Sequence, residues 1–231
     1  MSIITGMSPA QVAVLTTAQI AALTTEDFKA MTTAQVNALT SVQVPAIETR
    51  DLVILSTSQI QAIQTYNIQL LLANQAKALT ASQVKALTSD QVKALTTSNI
   101  TQLSAAQIKA VDAGDLAVLS TDQIASLTSN QTAALSTQQL GALSTDQLLT
   151  FTTDEIKALT TAQVKGLTTE QIAALSTAQI SSIEAADLAS FSTSQMSGFT
   201  TDAISVLSTA QVRGLTSGQL KALTSDQLKA L

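Results

Sequence analysis

Leu79-Thr80-Ala81-Ser82-Gln83-Val84-Lys85-Ala86 is followed without a gap by Leu87-Thr88-Ser89-Asp90-Gln91-Val92-Lys93-Ala94, and then by Leu95. The two copies share one eight-residue pattern, and the pattern extends in both directions. Steps of eight from Met7 to Leu231 meet a large apolar residue at all 29 positions. A second apolar series lies five residues further on, from Val12, Ile20 and Phe28 to Leu228, with Ala76 and Thr132 as its main exceptions. The residue before each Leu is usually small, as at Ala22, Ala38, Ala86 and Ala94. The consensus is Leu-Thr/Ser-Thr-x-Gln-Ile/Val-x-Ala.

One long helix cannot carry this period. Eight residues at about 100° each drift about 80° per repeat, so the apolar residues form no stripe. A coiled coil fails for the same reason, because only spacings near heptads or eleven-residue repeats hold a seam. Each octad instead reads as its own short helix. The Ser or Thr after Leu becomes the N-cap, with Gln three residues on, which is the capping box. Thr16 with Gln19, Thr80 with Gln83 and Ser208 with Gln211 are examples. The cap position is Ser or Thr in 23 of 28 octads, and the third helical position is Gln in 20 of the 28. The large apolar residue before the cap and the Ile/Val at the fourth helical position then form a hydrophobic staple.

The charges agree with this register. Eight of the 16 acids, Glu26, Asp90 and Glu170 among them, fall at the second helical position. Ten of the 11 basic residues, such as Lys29, Lys85 and Lys229, fall at the fifth. Acids near a helix start and bases near its end suit the helix dipole. Pro9 occupies the first helical position, where its missing N–H costs least; Pro45, at the fifth, fits less well. The expected fold is therefore an all-α solenoid of about 28 short capped helices over residues 7–231, preceded by an N-terminal segment, 1–6. The alternative is a β-solenoid, which Thr and Val would suit. However, the apolar positions do not alternate, and seven Gly are too few for regular tight turns. A lone octad buries too little to stand, so octads must stack on their neighbours, with the small sixth residue allowing close approach. The number of octads per coil turn is not visible.

Composition narrows the function. Histidine and cysteine are both absent, which removes the commonest general base and the thiolate and imidazole metal ligands. Ser and Thr have no activating base beside them, and no Gly-rich phosphate loop is present. No catalytic residue, cofactor site or metal site is assigned, and an enzyme is not expected. The net charge of −5 argues against a nucleic-acid partner. Neither a secretory signal nor an apolar run of membrane-spanning length is seen. Tyr66, the one tyrosine, reads as a surface variant. Three related acidic stretches stand out: Ile47-Glu48-Thr49-Arg50-Asp51-Leu52, Val111-Asp112-Ala113-Gly114-Asp115-Leu116 and Ile183-Glu184-Ala185-Ala186-Asp187-Leu188. Duplication of a larger block explains them; periodic carboxylates on a surface or binding Ca²⁺ are the alternative.

Leu79-Thr80-Ala81-Ser82-Gln83-Val84-Lys85-Ala86-Leu87 and Leu159-Thr160-Thr161-Ala162-Gln163-Val164-Lys165-Gly166-Leu167 resemble the Leu-Thr-Thr-Ala-Gln-Val/Ile-x-Ala-Leu arrays of large bacterial secreted or surface proteins, often labelled adhesion or haem-utilisation proteins. The resemblance covers nearly the whole chain. It implies a bacterial extracellular or cell-surface setting, reached without a classical signal peptide, with a cytoplasmic one left open. The haem label transfers no residue, since His and Cys are absent.

The leading functional expectation is a structural protein that self-assembles head to tail into an extracellular filament or matrix. Its partner would be itself. Terminal octads near consensus, rather than polar caps, motivate it. Assembly would use Met7, Val12 and Leu15 at one end and Leu220, Leu223, Leu228 and Leu231 at the other. The alternatives are a monomeric adhesin spacer or binding scaffold and, on the strength of the Thr-Thr pairs, an ice-binding protein.

Overall fold

The computed structural model describes residues 3–231. The all-α expectation holds: among the described residues there are 27 α-helices and two 3-10 turns, and no strand. From Pro9 to Ala230 every octad contributes one helical segment, of three to six residues. The one octad that forms no α-helix contains Pro45, where only the 3-10 turn Val44–Ala46 appears. A proline at the fifth position has no N–H for the carbonyl four residues back, and its ring crowds that carbonyl.

The joints between helices explain how so many turns need so little glycine. Leu87 ends one helix at φ −57°, ψ 139°, and Thr88 opens the next at φ −73°, ψ 160°. Two extended residues reverse the chain, and among the described residues none has positive φ. The caps form as the sequence implies. Gln91 N–H donates to Thr88 Oγ1 at 3.2 Å, while Thr88 N–H donates to Gln91 Oε1 at 3.0 Å. The α-helices without a side-chain cap are those that follow Glu48, Gln64, Leu72, Asp112 and Glu184, where the cap residue is neither Ser nor Thr. Thr88→Ala is expected to cost about 1 kcal/mol, read as a lowered urea midpoint; an unchanged midpoint would show that the cap adds nothing here.

The described residues fall into two compact units, one ending at Leu119 and the other Ser120–Leu231. The sequence reading treated 7–231 as one array. Within the N-terminal segment 1–6, of which residues 1 and 2 lie outside the described residues, Ile3–Gly6 form a 3-10 turn with Ile4 fully buried. That turn packs against the Thr25–Ala30 helix as another octad would.

Within each unit the two apolar series line the interior. Leu87, Val92, Ile100 and Leu103 are all buried, and so are the two exceptions, Ala76 and Thr132. Helices pack on those three octads away: Ala81–Ala86 on Ala105–Ala110 in the first unit, Thr169–Ala174 on Thr145–Leu149 in the second. The small sixth position makes this approach possible. A Cβ on Gly198 would lie 2.6 Å from the Thr169 carbonyl oxygen, and one on Gly166 would lie 3.0 Å from Thr137 Cβ.

Candidate functional site

The capping glutamines do more than cap. Gln91 is 1% exposed. Its Oε1 accepts from the Thr88 N–H at the start of its own helix. Its Nε2 lies 2.7 Å from the Ile63 carbonyl oxygen, 3.1 Å from that of Ile60 and 3.2 Å from that of Gln61. Ile60 and Ile63 belong to the end of a helix four octads earlier, where the Ile60 carbonyl accepts from the Ile63 N–H at 3.1 Å and has a second lone pair to offer. One carboxamide thus satisfies a helix start and a helix end in the next layer. Gln83 does the same to Leu52 and Leu55, and in the second unit Gln171 does so to Leu140 and Leu143.

This ladder supplies the coil size that the sequence left open. Helices pack at three octads, while glutamines reach the ends of helices four octads back. One turn therefore holds between three and four octads, and each helix straddles two helices of the layer below. The donation also explains a bias the capping box leaves unexplained. Glu and Gln cap equally well, but a carboxylate has no N–H to give to carbonyls. Glu occupies this position only at Glu155. The signal was present in the sequence as that near-absence of Glu.

Where Asp replaces Gln, the interlayer bond reverses direction. Asp51 Oδ1 accepts from the Thr25 hydroxyl at 2.8 Å, Asp115 Oδ1 from Ser89 at 2.5 Å, and Asp187 Oδ1 from Thr161 at 2.7 Å. The three acidic stretches are thus one structural variant, a carboxylate clasp with a hydroxyl 26 residues earlier. Asp51 is fully buried, with Arg50 Nε 3.6 Å from its Oδ2. Among the described residues no group of three or more acidic side chains is placed to hold a metal ion. At the helix surface, the Glu170 carboxyl is held below the ordinary carboxylate range. Its own backbone N–H is the main cause, with the Thr168 and Thr169 hydroxyls adding to it. A depressed carboxyl contributes stability above its unfolded pKa and loses it as pH falls through the folded value.

The seven assembly residues expected from sequence lie in the two separate units. Val12 is fully buried and Leu223 is 7% exposed, so neither presents a side chain for stacking. Met7 and Leu15 are half-buried and already receive a layer: their carbonyls accept from Gln35 and Gln43. Leu220 is half-buried, while Leu228 and Leu231 are 48% and 45% exposed. The sequence reading missed the polar half of these layers. Gln11 and Gln19 are exposed, unlike the buried capping glutamines from Gln35 onward. The carbonyls of Val212, Leu220 and Leu228 stand where a further layer's glutamines would donate.

The model of the ALTTAQ repeat matches this sequence five times, over residues 20–46, 108–145, 150–182, 180–216 and 204–231. Together these cover more than half of the chain. The chain belongs to the ALTTAQ repeat family. In this ALTTAQ array the Thr supplies the cap, the Gln supplies the interlayer amide, and the Ala-Leu pair supplies the close contact and the core. None of the five matches spans residues 47–107, a stretch that still folds as octads. Comparison with curated proteins gives no match. No helix among the described residues is long and apolar enough to cross a membrane.

Proposed function

We propose that this ALTTAQ array is a non-catalytic structural protein that stacks head to tail with copies of itself, forming a filament or matrix outside the cell. The observation that supports this reading is the pairing of glutamine amides with helix-end carbonyls that joins the layers inside each unit. Gln11 and Gln19 are exposed, and Leu228 and Leu231 are 48% and 45% exposed. A second copy would repeat the amide-to-carbonyl pairing that already joins layers inside each unit. Such a contact is heterologous and does not close on itself, so it grows. The extracellular setting rests on the resemblance to bacterial surface arrays.

Electron microscopy and light scattering on the purified 231-residue chain test this. Filaments or open-ended oligomers are expected to form with rising concentration. The double variant Leu220→Glu/Leu228→Glu should stay monomeric with an unchanged helical circular dichroism spectrum. Monomers alone at high concentration, across roughly pH 4 to 8 where net charge changes, would overturn the proposal. A monomeric spacer or binding scaffold of an adhesin is the second reading, favoured by the groove described below. The hydroxyl that opens nearly every Ser/Thr pair is committed to a cap, which weighs against an ice-binding surface.

A further inference from the structure

Departures from the octad consensus concentrate in one helix. Gln64-Thr65-Tyr66-Asn67-Ile68-Gln69-Leu70-Leu71 replaces the cap hydroxyl with Gln64, the second helical residue with Tyr66, the glutamine with Asn67 and the small residue with Leu70. The Thr65–Ile68 helix has lost its side-chain cap and is one of the shortest. A forgone cap is a loss of helix stability, and breaches of local rules without an evident compensating gain gather where a surface has another task. Two of the four, Gln64 and Tyr66, line a groove. Asn37, Gln64, Thr65, Tyr66, Gln69 and Ala94 surround an open cleft of about 700 Å³.

The groove is built from successive turns of the coil, and its floor is tied together. Gln64 Nε2 donates to the Asn37 carbonyl at 2.8 Å, and Asn37 Nδ2 donates to the Ala62 carbonyl at 3.1 Å. Those bonds engage one amide N–H of each, and the exposed Gln69 carboxamide and Thr65 hydroxyl line the same groove. Tyr66 stands among them at 48% exposure. The lining residues carry no charge.

We infer that this groove binds a neutral polysaccharide segment. Carboxamides both donate and accept, which matches the paired hydroxyls of a sugar, each of them also donor and acceptor. The phenol ring offers an apolar face with a polar tip to the C–H face of a pyranose. An ionic ligand would find no counter-charge among the lining residues. A purely apolar ligand would strip water from the amides without replacing its hydrogen bonds. The cleft is open rather than enclosed, so it suits an internal stretch of a chain better than a free monosaccharide. This inference is independent of end-to-end stacking.

The sequence provides its own probe, because Tyr66 is the sole tyrosine and tryptophan is absent. Tyrosine fluorescence therefore reports on this groove alone. Maltohexaose, cellohexaose, xylohexaose and mannohexaose are titrated separately into the full chain, with isothermal calorimetry in parallel. At least one is expected to change the fluorescence saturably. By calorimetry Tyr66→Phe should keep that binding, while Tyr66→Ala should weaken it at least about tenfold. Gln69→Leu should also weaken it, with circular dichroism unchanged in all three variants. No saturable signal with any of the four, or binding that survives Tyr66→Ala intact, would overturn the assignment.

Discussion

Gln91→Glu is expected to destabilise the first unit by about 3–5 kcal/mol at neutral pH, the range for a buried charge left without its partner. The substitution is nearly isosteric and keeps the capping box. The new carboxylate still accepts from the Thr88 N–H. What it cannot do is donate to Ile60 and Ile63, so it sets a negative charge against three carbonyl oxygens within about 3 Å, the hydrogen-bond range. Gln91→Leu leaves the same carbonyls and also the Thr88 N–H without their side-chain partner but adds no charge, and should cost about 1–3 kcal/mol. The order Glu, then Leu, then Thr88→Ala in decreasing loss is the specific expectation. The pH dependence follows from the same argument. Burial among carbonyls raises the folded-state pKa of the introduced Glu above its unfolded value of about 4.3. The penalty is then absent below that value and grows as pH rises toward the folded pKa. Urea midpoints at pH 4 and pH 7 for the three variants would read it. A Gln91→Glu protein as stable as the parent at pH 7 would show that the interlayer amide is not what joins the turns.

The second large effect lies in the other unit. Phe191 and Phe199 occupy the large apolar position of consecutive octads, and their rings meet edge to face, 5.5 Å apart at 84°. Phe199 is 2% exposed. Phe199→Ala should cost about 3–5 kcal/mol, whereas Phe199→Leu, which restores the consensus residue, should cost less than about 1.5 kcal/mol. The ring contact itself predicts a coupling of about 0.5–1.5 kcal/mol in a double-mutant cycle with Phe191→Leu. Additive single losses would mean that the two rings are independent fillers.

How much of this was legible beforehand differs from residue to residue. The cap, staple and charge register of Thr88, Gln91, Val92 and Lys93 could be read off the sequence, because each is a contact within one octad. Pro45 was visible as a misfit, and its helix is the one that becomes 3-10. The coil turn was not visible, because it depends on where Gln91 Nε2 goes, and that partner lies 28 residues away. No local rule names such a partner. The acidic stretches could be seen as related, but their meaning required Thr25, Ser89 and Thr161, which look like ordinary first-position residues. The groove was hidden for the same reason: Asn37, Tyr66 and Ala94 are unremarkable apart and adjoin only after the coil is wound. Val12 and Leu223 were expected at open faces because they are apolar and terminal, yet the coil had already covered both.

A turn that holds a non-integral number of octads has no first octad. Inside each unit the octads stand in one relation to those three and four places before them, so replication slippage that adds a single copy there leaves a glutamine with a carbonyl to meet. The backbone is accordingly indifferent to length polymorphism in steps of eight residues. Features assembled from different turns are not. One extra copy between Ala38 and Ile63 would leave both sides well folded and carry Asn37 out of line with Tyr66. In such a gene, selection for a ligand would appear as an intolerance of copy-number change between residues 37 and 94, against a background where copy number drifts freely.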